Sequence, residues 1–248
     1  MADPIHQFEV KTLVPLEVLG LDASLTNSGV FMVIAAASIT AFFMFSISKR
    51  AIVPGRIQSI AELSYEFIAD MIRGTAGTDG LKFFPFIFSL FMFILICNLL
   101  GMIPGAYTVT SQIVVTSALA AVVFILVVGY GFIRNGTKFL RVFAPSGIPW
   151  PLLIFIVPIE IFSFLSRPFS LSLRLFANML AGHIMLKVIA SFVVAMIAAG
   201  GISLLGALVP LVFNVALVAL EFLIALLQAF VFAILSCIYL NDALHPGH

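Results

Sequence analysis

Six ionisable side chains interrupt the two longest apolar stretches of the chain, both of which lie in its second half. They are Glu160, Arg167, Arg174, His183, Lys187 and Glu221. A charge near the centre of a bilayer costs on the order of 3 kcal/mol on insertion scales, so such residues usually face protein or water and mark a transport path. The alternative for any single one is a helix-to-helix salt bridge that only fixes packing. Lys187 lies closer to one predicted interface, where a long side chain can reach the polar layer.

Arg174 belongs to a regular series of polar residues, which we call the arginine stripe. Its members are Glu160, Ser163, Arg167, Ser170, Arg174 and Asn178. Because positions three and four apart share one face of a helix, the spacing predicts a continuous polar surface that cannot face lipid. Small neighbours such as Ser166 and Ala177 would let another helix approach closely. Pro168 lies within the stripe and predicts a bend in the helix. Such a bend would change the angle between Glu160 and Arg174 around the helix axis.

His183 and Glu221 are predicted to meet at one depth. His183 follows Arg174 by nine residues, which turns it by about 180° and moves it about 13 Å outward along a helix. Glu221 and Gln228 share a face of the last predicted helix, which runs antiparallel. If Gln228 lies at the depth of Arg174, Glu221 lies about 10 Å further outward. A carboxyl group and an imidazole at one depth can pass protons, because histidine titrates near neutral pH.

Arg174 suits a different task, because its guanidinium stays protonated under essentially all conditions. It cannot relay a proton, but it can hold a carboxylate ionised and repel cations. This predicts a divider between two proton-accessible compartments. The sequence offers no evident carboxylate at the depth of Arg174 apart from Glu160 lower down, so the counter-charge is expected from another subunit.

The composition indicates which solvent surrounds these residues. The 248-residue chain is 62% hydrophobic and 9% charged, with a mean hydropathy of +1.24, whereas soluble domains carry roughly 25% charged residues. A soluble protein is therefore excluded. The first 28 residues carry several acidic residues and lack the pattern of a cleavable signal peptide. The two cysteines lie in apolar runs and indicate neither a disulfide framework nor a metal site.

Apolar runs of about 20 residues or more predict an all-α integral membrane protein with five transmembrane helices, the last two long and tilted. The predicted spans are 30–47, 83–103, 113–133, 152–199 and 202–240, and the first ends at Lys49-Arg50. A sixth span is possible if the fourth stretch divides at Pro158 or Pro168. The whole chain is expected to form one membrane domain.

Basic residues predict the orientation, since they accumulate on the cytoplasmic side. Segments 49–82 and 134–151 contain eight of them: Lys49, Arg50, Arg56, Arg73, Lys82, Arg134, Lys138 and Arg141. Segments 104–112 and 198–202 contain none, and the N-terminal segment 1–28 contains only Lys11. This predicts a periplasmic N-terminus and a cytoplasmic C-terminus.

Segment 57–73 has polar residues on one side and apolar residues on the other, which predicts an amphipathic helix at the cytoplasmic interface. Its polar face is acidic, so attraction to anionic lipid explains it poorly. Either it packs on another subunit, which fits better, or it is a connecting helix without a partner.

Two runs carry a resemblance to a known family. The run from Ser170 to His183 (SLSLRLFANMLAGH) resembles the signature of subunit a of the F-type ATP synthase, and the run from Glu221 to Phe232 (EFLIALLQAFVF) is similar to the final helix of that family. The tail from Asp3 to Glu9 (DPIHQFE) is similar to alphaproteobacterial and mitochondrial-type members. The resemblance covers essentially the whole chain, and the arginine motif is highly specific.

The resemblance implies a stator subunit, not catalytic by itself, that couples proton translocation to rotation of the c-subunit ring and so to ATP synthesis. It implies that Arg174 faces the ring carboxylates, and that Asn178, His183, Glu221 and Gln228 belong to a periplasmic half-channel. It implies that Glu160, Ser163, Arg167 and Ser170 lie near a cytoplasmic half-channel or the ring interface. The implied partners are the c-ring, b-type peripheral stalk subunits, other ATP synthase subunits, membrane lipid and transported protons, in a bacterial inner membrane, without nucleic acid.

This sequence departs from many bacterial members in one respect. They carry glutamate where this chain has His183 and histidine where it has Glu221, so the pair is exchanged but both groups are kept. The coupling ion is expected to be the proton, and no cofactor or metal is expected.

Two other classes of function compete with this one. A stand-alone ion channel or secondary transporter suits the intramembrane charges, but the chain lacks an evident inverted repeat with paired broken helices. An intramembrane enzyme would need a nucleophile with its base or a metal motif. His183 and Glu221 supply two possible ligands, which are too few for a zinc site.

Overall fold

The computed structural model describes most of the chain. The described residues are 8–15, 17–18, 21–22, 24–48, 51, 53–103, 105–143, 149–201 and 203–244. The predicted end of the first span at Lys49-Arg50 lies outside them, as do residues 1–7 of the N-terminal segment.

The described residues form seven α-helices. They are α1 (Asn27–Ser48), α2 (Arg56–Gly80), α3 (Phe84–Gly101), α4 (Ile113–Asn135), α5 (Trp150–Ala199), α6 (Ser203–Gly206) and α7 (Leu208–Leu244). Short 3-10 turns cover Leu81–Phe83, Val109–Ser111 and Gly136–Val142. Within the part of the chain that the structure describes, five helical segments are long and apolar enough to cross a bilayer. They contain α1, α2 with α3, α4, α5, and α6 with α7. This confirms the prediction of an all-α membrane protein with five spans.

Helix α5 has 50 residues and α7 has 37. A span needs only about 20 residues, so each helix must tilt strongly or extend beyond the hydrocarbon layer. Helix α5 continues through Pro158 and Pro168, so the alternative of a sixth span created by a break there is wrong. Proline removes one backbone donor, and packing against neighbouring helices can maintain a transmembrane helix across that loss.

The N-terminal segment contains short strands that the sequence did not predict. They are β1 (Thr12–Val14), β2 (Glu17–Val18), β3 (Leu21–Asp22) and β4 (Leu25–Thr26). Strand β1 pairs antiparallel with β4, and β2 pairs antiparallel with β3. The Gly29 amide donates a 3.2 Å hydrogen bond to Thr26 Oγ1, which caps the first turn of α1.

Helix α2 is longer than the predicted amphipathic helix 57–73. It extends to Gly80 across a non-helical Gly77, whose φ is 66°. Ile68 and Ile72 are fully buried, in an element that contacts α7, α3 and α1 of the same chain. Helix α2 therefore packs against other helices of its own chain. Contact with another subunit and a connecting helix without a partner subunit both stay predictions.

Helix α7 lies at the centre of the protein and contacts α2, α3, α4 and α5. Ala225, Ala229, Ala233 and Cys237 recur at every fourth position of α7, and each has zero exposure. Small residues at this spacing let neighbouring helices approach closely. The resulting core holds α5 against α7 and thereby fixes the relative positions of their polar side chains.

Candidate functional site

Helices α5 and α7 form an antiparallel frame with polar contacts at two levels. His183 on α5 meets Glu221 on α7, and Arg167 on α5 meets Asp242 on α7. Residues earlier in α5 therefore lie beside residues later in α7. His183 and Arg167 are about 24 Å apart along α5, and Arg174 lies between them.

His183 and Glu221 form the contact that we call the outer pair. His183 Nδ1 lies 3.1 Å from Glu221 Oε1, and the two side chains are only 10% and 5% exposed. The structure thus brings together the two residues that the register argument placed at one depth. His183 points into the protein and away from the arginine stripe, as its spacing from Arg174 predicted. The role of the pair in proton transfer stays a prediction.

Gly182 makes room for this contact. A Cβ atom at Gly182 would lie 2.9 Å from Glu221 Oε1, closer than real Cβ contacts occur. Only glycine lets the Glu221 carboxyl approach the α5 backbone this closely.

The loop between α3 and α4 completes the surroundings of the outer pair. Thr108 Oγ1 lies 3.1 Å from His183 Nε2, and the same hydroxyl donates to the Gly101 carbonyl oxygen at 3.3 Å. Ser111 Oγ donates to the Thr108 carbonyl oxygen at 2.6 Å. The imidazole is therefore hydrogen-bonded to Thr108 at Nε2 and lies close to the Glu221 carboxyl at Nδ1. Sequence reasoning missed Thr108, because an uncharged hydroxyl in a short loop carries no pattern.

The N-terminal segment contacts this site through Phe8. The Phe8 ring lies 6.3 Å from the His183 ring, between centroids, and Lys187 Nζ lies 5.8 Å from the Phe8 centroid. Tyr107 and Gln112 donate hydrogen bonds of 3.2 and 2.8 Å to the Phe8 carbonyl oxygen. Burial raises the pKa of the Tyr107 phenol, so the phenol stays protonated and able to donate at neutral pH.

The arginine stripe lies on the surface of the single chain. Ser163, Ser170, Arg174 and Asn178 are exposed, while Glu160 and Arg167 are half-buried. Among the described residues, no carboxylate lies within 4.0 Å of Arg174, since the ion pairs found there all involve other cations. The guanidinium thus lies on an apolar helix without a counter-charge from the part of the chain described here.

Arg167 is the centre of what we call the inner cluster. Its Nη1 donates a 2.5 Å hydrogen bond to Asp242 Oδ2, and its Nη2 lies 3.9 Å from Glu160 Oε1. The Phe164 and Tyr239 rings contact its guanidinium at 5.3 and 5.2 Å. Sequence reasoning missed Asp242, because the predicted fifth span ended at residue 240 and this helix continues to Leu244.

Further polar contacts connect the helices between these levels. Gln228 is buried on the same side of α7 as Glu221. Asn98, which is fully buried, donates a 3.1 Å hydrogen bond to the Ala225 carbonyl oxygen and accepts one of 2.8 Å from Thr110. These bonds tie the loop between α3 and α4 to α7, because a buried amide left without partners would cost about 1–3 kcal/mol.

Comparisons with known proteins agree with this architecture. Residues 29–241 match the family described as ATP synthase A chain. The chain is 60% identical over 245 residues to the ATP synthase subunit a of Rhizobium etli (strain CFN 42) and 58% identical over 245 residues to that of Allorhizobium ampelinum. It is also 57% identical over 246 residues to the ATP synthase subunit a of Chelativorans sp. (strain BNC1). These alignments cover 99% of this chain and 98–99% of each relative.

Proposed function

Because this chain belongs to the ATP synthase A chain family, we propose how its described residues carry out the function of that family. The chain is the non-catalytic, proton-translocating stator subunit of the ATP synthase membrane sector. It is a multi-pass protein of a bacterial inner membrane, and its partners include other ATP synthase subunits. The alternative of a stand-alone channel or transporter gains no support from its relatives.

The observation that carries the mechanism is the position of Arg174. It is an exposed cation on a long apolar helix, and no carboxylate of the described residues lies within ion-pair distance. Burial of an unpaired charge in hydrocarbon is costly, so a partner must supply the counter-charge. We place a carboxylate of a neighbouring c subunit opposite Arg174, since the stripe offers small residues that permit close helix contact.

Arg174 then acts as a divider between two half-channels. Its permanent charge releases the proton from a ring carboxylate that faces it and prevents a continuous path for protons across the subunit. Protons would bind to the ring on one side of Arg174 and leave on the other side after nearly a full turn. This separation makes ring rotation the only route across the membrane.

The periplasmic half-channel is assigned to His183, Glu221, Asn178 and Gln228. The outer pair supplies two adjacent titratable groups in a buried site, which is the arrangement that proton transfer requires. Gln228 lies two turns inward of Glu221 on α7, and Asn178 lies on the stripe one turn from Arg174. A proton that enters from the periplasm would therefore pass the outer pair first and then move toward the position of the ring carboxylate.

The cytoplasmic half-channel, or its border with the ring, is assigned to Glu160, Ser163, Arg167 and Ser170. Glu160 is the titratable member, and its half-buried position allows proton exchange with the cytoplasmic side. Arg167 holds the α7 end through Asp242 and stays charged. Its contribution is to shape this border and not to carry the proton.

The same assignment also gives the proposed orientation of the chain across the membrane. Basic residues concentrate in segments 49–82 and 134–151, which favours the cytoplasm for both segments and for the inner cluster. This leaves the N-terminal segment and the outer pair on the periplasmic side.

The peripheral stalk is assigned to a different surface from the ring. An apolar groove between α1, α3 and α4 is lined in part by Ile39, Phe43, Phe88, Met92 and Leu119. We assign this groove to a membrane helix of a b-type subunit, because its apolar lining suits a helix and it lies apart from the stripe.

Disulfide cross-linking tests the placement of the ring. Ser170→Cys and Phe169→Cys are matched variants, because both positions are exposed on α5 and only Ser170 lies on the stripe. The two native cysteines, both buried, would first be replaced by alanine. With single cysteines placed along the outer helix of the c subunit, Ser170→Cys should form a cross-linked product and Phe169→Cys should not. Equal cross-linking from both positions, or from neither, would contradict the assignment.

A further inference from the structure

We propose that Thr108 sets the tautomer of His183 and thereby makes the outer pair hold one shared proton. This inference rests on the proposed function, because it concerns the periplasmic half-channel. Thr108 is a positioning residue and acts through His183.

The hydrogen-bond directions around Thr108 follow from the end of α3. Gly101 is the last residue of α3, so its carbonyl has no partner within the helix and needs a donor. The Thr108 hydroxyl donates its single proton there, at 3.3 Å. A hydroxyl has one proton and two lone pairs. Toward His183, Thr108 Oγ1 can therefore act only as an acceptor.

This direction decides which nitrogen of His183 carries its proton. A neutral imidazole has one N–H and one bare nitrogen. Since Nε2 lies 3.1 Å from an acceptor, Nε2 bears the hydrogen. Nδ1 is then the bare nitrogen, and it lies 3.1 Å from Glu221 Oε1.

The bare Nδ1 constrains the protonation of Glu221. A bare nitrogen and an ionised carboxylate oxygen at this distance would both be acceptors, and neither would be satisfied. Their repulsion is removed when the pair holds one proton, on Oε1 in a neutral pair or on Nδ1 in an imidazolium–carboxylate pair. Moving this proton from Oε1 to Nδ1 leaves the number of protons and the net charge of the pair unchanged. Both Glu221 oxygens are buried and form no hydrogen bond within the described residues, so the contact between Nδ1 and Oε1 is a close polar approach. In the imidazolium–carboxylate form, Oε2 is free to accept the next proton.

The surroundings of Thr108 keep its hydroxyl in this role. Ser111 Oγ donates to the Thr108 carbonyl oxygen at 2.6 Å, which fixes the backbone of the turn. A Cβ atom at Gly101 would lie 2.7 Å from Thr108 Cγ2, so the side chain fits closely against the end of α3. Thr108 is itself 3% exposed, and its hydroxyl is therefore shielded from competing water.

A matched pair of variants separates the hydroxyl from the shape of the side chain. Thr108→Val keeps nearly the same shape and loses the hydroxyl, whereas Thr108→Ser keeps the hydroxyl and loses a methyl group. Passive proton conduction would be measured in membrane vesicles that contain the assembled complex after removal of its catalytic sector. Thr108→Val should lower conduction about tenfold, by analogy with the lower end of the effect that hydrogen-bond partners have on metal-ligating histidines. Thr108→Ser should stay within about twofold of the unmodified complex.

Equal loss in both variants, or wild-type conduction in Thr108→Val, would overturn the inference. A His183→Ala variant in the same assay keeps the two claims apart. Loss of conduction in His183→Ala but not in Thr108→Val refutes the role of Thr108 alone. Normal conduction in His183→Ala refutes the proposed half-channel itself.

The tautomer can be read directly, even if Thr108→Val does not assemble. In complexes labelled with 15N-histidine, solid-state NMR distinguishes a bare Nδ1 from a bare Nε2, and the His183→Ala spectrum identifies the signal. We expect unmodified His183 to show a protonated Nε2, with Nδ1 either bare or protonated in the imidazolium form. A neutral ring with its hydrogen on Nδ1 and a bare Nε2 would overturn the proposal.

Discussion

The outer pair and the inner cluster join the same two helices and differ in what they can do with a proton. His183 and Glu221 are 10% and 5% exposed, and both can gain or lose a proton. Arg167 and Asp242 are 22% and 35% exposed, and Arg167 stays charged under all ordinary conditions. The first contact joins two groups that exchange protons, whereas the second is built on a cation that keeps its charge and is more exposed to solvent.

This difference indicates that one pair of helices can contain a contact that transfers protons and another that stabilises the fold. The buried contact is costly unless its charge is balanced, so its protonation is coupled closely to its geometry. The half-exposed contact gains modest energy and tolerates change, since solvent screens it. We therefore expect substitutions at the outer pair to act on proton flux and those at the Arg167–Asp242 ion pair to act mainly on stability.

The largest effect is expected from removal of both titratable groups of the outer pair. Combining His183→Ala with Glu221→Gln should lower passive proton conduction at least about 100-fold, the lower end of typical general acid–base contributions. The measurement is proton flux in vesicles with the catalytic sector removed, normalised to the amount of assembled complex. Unchanged flux would show that protons reach the ring by another route.

Gly182→Ala tests the same site without removing any titratable group. The added methyl carbon would lie 2.9 Å from Glu221 Oε1, which displaces the carboxyl from His183. We expect a loss of flux of about tenfold, because displaced functional groups lose efficiency steeply with distance. Gly129→Ala is the matched control, since a Cβ atom at that helical position meets nothing within 4 Å. Similar losses in both variants would indicate a general effect on helix packing.

The smallest effect on flux is expected at the inner cluster. Arg167→Gln and Asp242→Asn each remove one side of the ion pair, and flux should fall by no more than about threefold. A double-mutant cycle on thermal unfolding should give a coupling energy of about 1 kcal/mol, reduced by solvent exposure. Loss of flux as large as that at the outer pair would erase the distinction between the two regions.

The sequence predicted the parts of this structure that depend on periodicity. Apolar runs predicted five spans, and the helical repeat predicted that His183 would point away from the arginine stripe and meet Glu221. The sequence did not predict the partners that come from loops and helix ends. Thr108 reaches His183 only through the turn that follows α3, and Asp242 reaches Arg167 only because α7 continues past its apolar residues. Such contacts depend on three-dimensional packing and leave no repeat in the sequence.

The two prolines of α5 left a second alternative open. Pro158 and Pro168 made a division of the fourth stretch possible, and the helix continues through both. Helix α5 packs against α4 and α7, and packing between helices can maintain a transmembrane helix when a proline removes one backbone hydrogen bond.

The role of Arg174 as a divider is tested most directly by ATP synthesis in the Arg174→Ala complex, reconstituted in vesicles with an imposed proton gradient. Assembly should be largely preserved, because Arg174 is exposed on the single chain and has no ion-pair partner among the described residues. Coupled synthesis should fall below detection, since the two half-channels would no longer be kept apart by a fixed positive charge. Full coupled synthesis in a normally assembled Arg174→Ala complex would contradict the account.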